Sequence, residues 1–320
     1  MAELSEEAVE ALFGQQLAEW ETARTNYAKL SRVEERKLTV NGSTIIVQYN
    51  PERLRSSAAK VDRASIEHRQ CFLCKPNRPA EQQWIEWGDY EIIVNPYPIF
   101  PKHFTIPTRT HTAQRIISRF RDMMTLALLM KGYTVFYNGP ECGASAPDHC
   151  HFQAGVQGFM PIEAELRHAR LTELAREDTR GTLSEVNQGG RHCYVIEYTE
   201  VDAGCRLFEQ LYATLPMSEG QAEPMMNVLC MKESEQRCIT VVIPRRKHRP
   251  ACYYAEGVQR LLVSPASVDL GGVVIASRKE DFERITAEDI AAIFSEVCIT
   301  DADVACINDK LNKKGYKTTN

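Results

Sequence analysis

At 320 residues, 43% of them apolar and 25% charged, the chain has the make-up of a globular protein with room for one large or two ordinary domains. A net charge of −5 argues against a general nucleic-acid binder, and the longest apolar stretch, near Thr125–Met130, is far too short to span a bilayer. Eleven cysteines behind an acidic, leaderless start read as reduced thiols plus a metal site, so the expectation is a cytoplasmic protein without nucleic-acid or membrane partners.

In chain order, Ser5 to about Leu30 reads as one amphipathic helix capped by Ser5, with Val9, Leu12, Phe13, Leu17, Trp20, Ala23 and Tyr27 at helical spacing. Leu38–Val40 and Ser43–Val47 flank Asn41-Gly42, the favoured two-residue hairpin turn. Residues 1–60 are therefore expected to form an N-terminal extension. A turn-rich segment carries Cys71-Phe72-Leu73-Cys74. Strands follow at Tyr90–Val94 and His103–Pro107, then a helix from about Thr112 to Met130, then strands at Tyr133–Tyr137 and His149–Gln153. Strands joined by tight loops with one helix between them predict an antiparallel α+β layer.

Ile106-Pro107-Thr108-Arg109-Thr110-His111 is partly echoed by Ile243-Pro244-Arg245-Arg246-Lys247-His248, and Val273–Ile275 stands where the first half has its third strand. Two related halves are expected, at 61–210 and 211–320, with the histidine strand kept only in the first. Glu163 to Gly190 reads as a helix and loop joining regions, and Lys310–Asn320 as a frayed basic tail.

The chemistry concentrates at His149-Cys150-His151-Phe152-Gln153. As a strand, this stretch puts His149, His151 and Gln153 on one face. Two imidazoles and an amide in a row suit a nucleophile that attacks phosphorus, flanked by groups that hold phosphate oxygens; the plain alternative is a pair of surface histidines. The small-residue loop Asn138–Ser145 just before it is rich in backbone N–H groups of the kind that cradle anions. Cys71 and Cys74 form half of a tetrahedral zinc site, for which His111 and His149 are the best further ligands; the alternative is two packed thiols. Asn138, Ser145 and Asn95 are candidates for substrate contacts or simple turn-formers. The basic run Arg245 to Arg249 is either a solvated face or an anion pocket, and Arg78 is a lone candidate of the same kind.

Taken in order, these motifs resemble the histidine-triad superfamily of nucleotidyltransferases. Cys71-x-x-Cys74 with Asn77 and Arg78 is similar to the zinc-binding opening of galactose-1-phosphate uridylyltransferases. His103-Phe104-Thr105-Ile106-Pro107 with His111 looks like the second-strand signature of the superfamily. Tyr137-Asn138-Gly139 through His151-Phe152-Gln153 is similar to the active-site segment of the diadenosine tetraphosphate phosphorylases, and His151–Ala154 also to the GDP-L-galactose phosphorylases. The resemblance is concentrated in residues 65 to 160. It implies two histidine-triad-like halves, His151 as the nucleotidylated histidine, and Gln153 as the mark of the transferring branch, where hydrolases carry a third histidine. It further implies Cys71, Cys74, His111 and His149 around zinc. Cys150 stands where the uridylyltransferases have proline, which favours the phosphorylase version over hexose-1-phosphate uridylyl transfer. The expected substrates are a nucleotide or nucleotide sugar and a phosphate-bearing acceptor, with Arg245 and Arg246 contributing to anion binding. A zinc-stabilised nucleotide-binding protein without turnover is the rival of another class.

Overall fold

The computed structural model describes residues 4–53, 65–66 and 68–313. Among them thirteen strands form two sheets. The smaller sheet contains β1 (Glu34–Val40), β2 (Ser43–Tyr49) and β13 (Val273–Ala276). The larger has ten strands in the order β3 (Trp84–Trp87), β4 (Tyr90–Val94), β5 (His103–Pro107), β7 (His151–Val156), β6 (Tyr133–Asn138), β11 (Met226–Ser234), β12 (Arg237–Pro244), β10 (Arg191–Tyr198), β9 (Gly181–Gln188) and β8 (Thr172–Glu177). The fold is α+β, as expected. No helix among the described residues is long and apolar enough to cross a membrane.

The large sheet is internally repetitive. A hairpin (β4, β5), the helix Phe120–Leu129 and a second hairpin (β6, β7) give the local order β4-β5-β7-β6. A hairpin (β9, β10), the helix Val201–Tyr212 and a hairpin (β11, β12) give β9-β10-β12-β11. The units join through antiparallel β6 and β11, with Asn138 opposite Asn227. Their helices lie on one face, where the rings of Phe120 and Phe208 stack 3.7 Å apart.

This topology relocates several sequence expectations. A division at residue 210 falls inside the helix Val201–Tyr212; we place it near residue 171, because β9 and β10 group with β11 and β12. The Ile-Pro echo is not a structural equivalence: Ile106-Pro107 ends β5, whereas Ile243-Pro244 ends β12, the counterpart of β7. Val273–Ile275 is not a counterpart of β6, for β13 runs parallel to β2 in the smaller sheet. That pairing ties the N-terminal hairpin to the C-terminal part of the chain. Glu163 to Gly190 begins in the short helix Pro161–Glu165, but the expected loop is replaced by the strands β8 and β9. Residues 314–320 of the expected tail lie outside the described residues, and Lys310–Lys313 continue the helix Asp301–Lys313.

The N-terminal helix is two helices, Glu6–Glu19 and Glu21–Lys29, broken at buried Trp20, whose backbone is extended. The Ser5 hydroxyl accepts from the Ala8 N–H, the cap expected from the sequence. Asn41 (φ 46°) and Gly42 (φ 82°) make the hairpin turn with both central residues left-handed, as that turn requires.

Strand alternation splits the interior into two cores. Phe104, Ile106, Phe152 and Ala154 face the helices. Phe136, Leu229 and Ile243 face the smaller sheet and the helix Ala287–Val297. Gln153 lies opposite Phe136 and Thr105, so Gln153 and His151 belong to this second face. Phe100 covers it closely: a Cβ on Gly155 would come within 2.4 Å of the Phe100 ring.

Candidate active site

Three segments bring a Cys/His cluster together. Cys71 to Cys74 is a turn closed by Cys74 N–H donating to the Cys71 carbonyl at 3.2 Å, which the Asn77 amide also bonds at 2.8 Å. His111 comes from the loop after β5, and His149 from the segment just before β7. The Cys71 Sγ is 3.3 Å from His149 Nδ1, and the Cys74 Sγ is 3.2 Å from His111 Nδ1 and 3.5 Å from His149 Nδ1. All four ligand atoms lie within 4.8 Å of one another. Two sulfurs and two imidazole nitrogens converging in this way fit a tetrahedral cation.

The groups behind these ligands agree. His149 Nε2 is 2.7 Å from the Thr108 carbonyl, which only accepts, so Nε2 carries the proton and Nδ1 keeps its lone pair for the cluster. His111 Nε2 is 3.6 Å from Asp148, itself paired with Arg69 at 2.8 Å. Burial pushes the Cys71 thiol up to about 11 and the His149 imidazole below its usual value.

The expectation that His149 shares a strand face with His151 needs correcting. β7 begins at His151. Cys150 N–H donates to Thr112 at 2.6 Å and Thr108 N–H to Cys150 at 2.9 Å, which hold the preceding residues outside the strand. His149 therefore turns to the cysteines, while His151 and Gln153 keep a common face.

His151 is buried, with 3% of its surface exposed. Its Nδ1 is 2.8 Å from the His149 carbonyl, so Nδ1 donates and the neutral ring carries its lone pair on Nε2. Burial lowers its pKa to about 4. The buried Gln114 amide braces it from both sides, accepting from His151 N–H at 2.8 Å and donating to the His151 carbonyl at 3.1 Å. Nothing in the sequence around Gln114 marks this role.

Gln153 lies beside His103, with Oε1 3.0 Å from His103 Nε2. Asn95 is engaged within its own loop: its amide donates to Thr105 Oγ1 at 3.0 Å and accepts from Tyr97 N–H at 2.9 Å. Arg53 reaches the same loop, donating to the Tyr97 carbonyl at 2.9 Å. Ser145 is half-buried in the loop before the histidines. That loop requires glycine at Gly143 (φ 93°), where a Cβ would sit 2.5 Å from Ala266 Cβ.

Other expected substrate contacts are interior structure. Asn138 Oδ1 accepts from the Asn227 amide and from Ser267 N–H, both at 2.8 Å, and so joins the two units at their seam. Arg245, expected to bind an anion, is 1% exposed, and its five N–H groups meet Val297, Asn227, Pro265, Lys247 and His248. No donor is left for a phosphate. Arg245→Ala should therefore destabilise the fold by roughly 3–5 kcal/mol, since it orphans several buried acceptors. Denaturant unfolding checks this; an unchanged midpoint with a raised phosphate KM would restore the anion pocket. Arg246 is exposed and acts on Glu296 and Asp303. Arg78 pairs with buried Glu91 near the ring of Trp84, and its Nε and Nη1 find no partner among the described residues.

A family model described as a domain of unknown function, DUF4922, matches residues 12–156. No curated protein sequence matches the chain. Among solved structures, the yeast Ap4A phosphorylase Apa2 in complex with Ap4A superposes with a TM-score of 0.60 at 16% identity, over 92% of this chain and 99% of that one. The same yeast enzyme in complex with AMP gives 0.57 at 17% identity, over 89% and 96%. A uridylyltransferase gives 0.41 at 13% identity, over 88% and 99%. The chain thus shares its α+β fold with the yeast Ap4A phosphorylase.

Proposed function

We infer that the protein is a nucleotidyltransferase working through a covalent nucleotidyl-His151 intermediate, and that it splits a dinucleoside polyphosphate or nucleotide sugar with phosphate as acceptor. The observation that carries the reading is the ring of His151. Its Nδ1–H is spent on the His149 carbonyl, which leaves the Nε2 lone pair as nucleophile, with Gln153 next on the same face. The fold shared with a phosphorylase whose structures hold Ap4A and AMP supports the same chemistry.

The reaction balances in two displacements. His151 Nε2 attacks the α-phosphorus, and the bond to the bridging oxygen breaks, releasing the rest of the polyphosphate. Nδ1–H stays on the ring, so the imidazole of the adduct carries a positive charge that the His149 carbonyl stabilises. An oxygen of phosphate then attacks the same phosphorus and returns the electron pair to Nε2. Splitting one displacement into two lowers each barrier. The Gln153 amide is neutral and has no proton to give a leaving group, which suits leaving groups that are themselves phosphates. Cys71, Cys74, His111 and His149 would hold a zinc ion, which would cross-link the segment leading into His151 to the loops around it.

The test is to incubate Ap4A and a series of nucleotide sugars with and without inorganic phosphate and to identify the products by mass. The expected result is phosphate-dependent release of a nucleoside diphosphate. Equal rates in both tubes, with a nucleoside monophosphate in place of the diphosphate, would show a hydrolase. Binding without products would show a nucleotide-binding protein.

A further inference from the structure

We propose that His103 is a positioning residue that fixes which way the Gln153 amide faces, so that its two N–H groups are presented beside His151. The inference rests on the nucleotidyl-transfer reading for its consequence, and on hydrogen-bond chemistry for its geometry.

His103 is fully buried at the start of β5. Its Nδ1 lies 3.3 Å from the Ile99 backbone N–H, which can only donate, so Nδ1 accepts. The proton of the neutral ring then sits on Nε2. That nitrogen is 3.0 Å from the side-chain oxygen of Gln153 and donates to it. An amide turned the other way would set N–H against N–H. A backbone amide four residues away along the chain thus dictates, through one imidazole, the orientation of a glutamine on the neighbouring strand.

The surroundings hold the imidazole neutral and still. Burial, with Arg53 close by, lowers the His103 pKa to about 3. The rings of Phe100 and Phe136 pack at 5.2 and 5.9 Å. The Tyr27 hydroxyl donates to the His103 carbonyl at 2.9 Å and accepts from its N–H at 3.2 Å. Among the described residues no protein acceptor pairs with the Gln153 NH2, so both donors remain for phosphate oxygens. Preorganised donors stabilise charge that develops in the transition state, whereas an amide free to flip would meet a phosphate with its own oxygen half the time.

Two measurements decide the matter. Long-range 1H–15N spectra of the nucleotide-free protein, assigned by loss of signal in His103→Phe, should show His103 with its proton on Nε2. A proton on Nδ1 would overturn the proposal whether or not the protein is an enzyme. The second measurement is single-turnover labelling of His151 with Ap4A in two variants. His103→Phe keeps an aromatic ring but no donor, and should slow labelling roughly tenfold to a hundredfold. His103→Gln places an amide N–H where Nε2 stood, and should recover most of that rate. Equal slowing in both variants, in step with equal losses in melting temperature, would mean a purely packing role and would overturn the proposal. Absence of label on His151 in the parent protein defeats the nucleotidyl-transfer reading and leaves the spectra to decide the orientation of the amide.

Discussion

His151→Ala is expected to abolish nucleotide transfer, with a loss on the order of a millionfold, the scale seen when a covalent nucleophile is removed. The fold should survive. Among the described residues the His151 side chain makes one hydrogen bond, to the His149 carbonyl, while its backbone stays braced by Gln114. The readouts are phosphate-dependent turnover, mass spectrometry for a phosphoramidate after brief exposure to Ap4A, and the melting curve. The adduct should appear in the parent protein and vanish in the variant, with a similar melting curve. Full activity in the alanine variant would sink the mechanism. Gln153→Ala should act more mildly, roughly a hundredfold to a thousandfold, because it removes donors rather than the attacking atom.

Removing the metal is expected to have the largest effect on stability. About one zinc per chain should be found in protein purified without chelators. Cys71→Ser and Cys74→Ser should each lose it, and a strong chelator should do the same to the parent protein. Burial makes the cluster's integrity matter: Cys71 and His149 are buried, and among the described residues Cys71 packs in a small apolar cluster with Leu73 and Ala146. Structural zinc sites contribute about 10–16 kcal/mol in isolated peptides, so a loss here of even about 4 kcal/mol would lower the melting temperature by roughly 10 °C. Activity should fall along with it, because His149, which would hold the ion, also offers the carbonyl that holds the His151 ring. Metal analysis finding none would make His149 an orienting residue alone, held by Thr108.

Much of the first unit was legible from local pattern. β4, β5 and β6 lie within a residue of the runs read from apolar and β-branched character, and Asn41-Gly42 announced its turn. The segment after Glu163 was not legible. β8 is the edge of the ten-stranded sheet, and its Glu173, Arg176 and Glu177 give it the polarity of a loop. The break at Trp20 was hidden because the buried residues on both sides of it keep a helical spacing, with no proline or glycine to mark the bend.

By itself, the sequence determined the chemistry available at the site: Cys71-x-x-Cys74, the spacing of His149, His151 and Gln153, and the α+β character of the elements that carry them. These depend on residue type and strand period, which are local properties. The tertiary structure alone decided which way each group faces. His149 leaves the strand face for the cysteines because Thr112 and Thr108, some forty residues earlier in the chain, bind the backbone of Cys150. Arg245 is an internal strut because acceptors at 227, 265 and 297 converge on it. Gln153 is oriented by a backbone N–H reached through His103 on the next strand. A donor's role is set by which acceptors surround it, and acceptors brought from distant parts of the chain have no signature in the residues beside the donor.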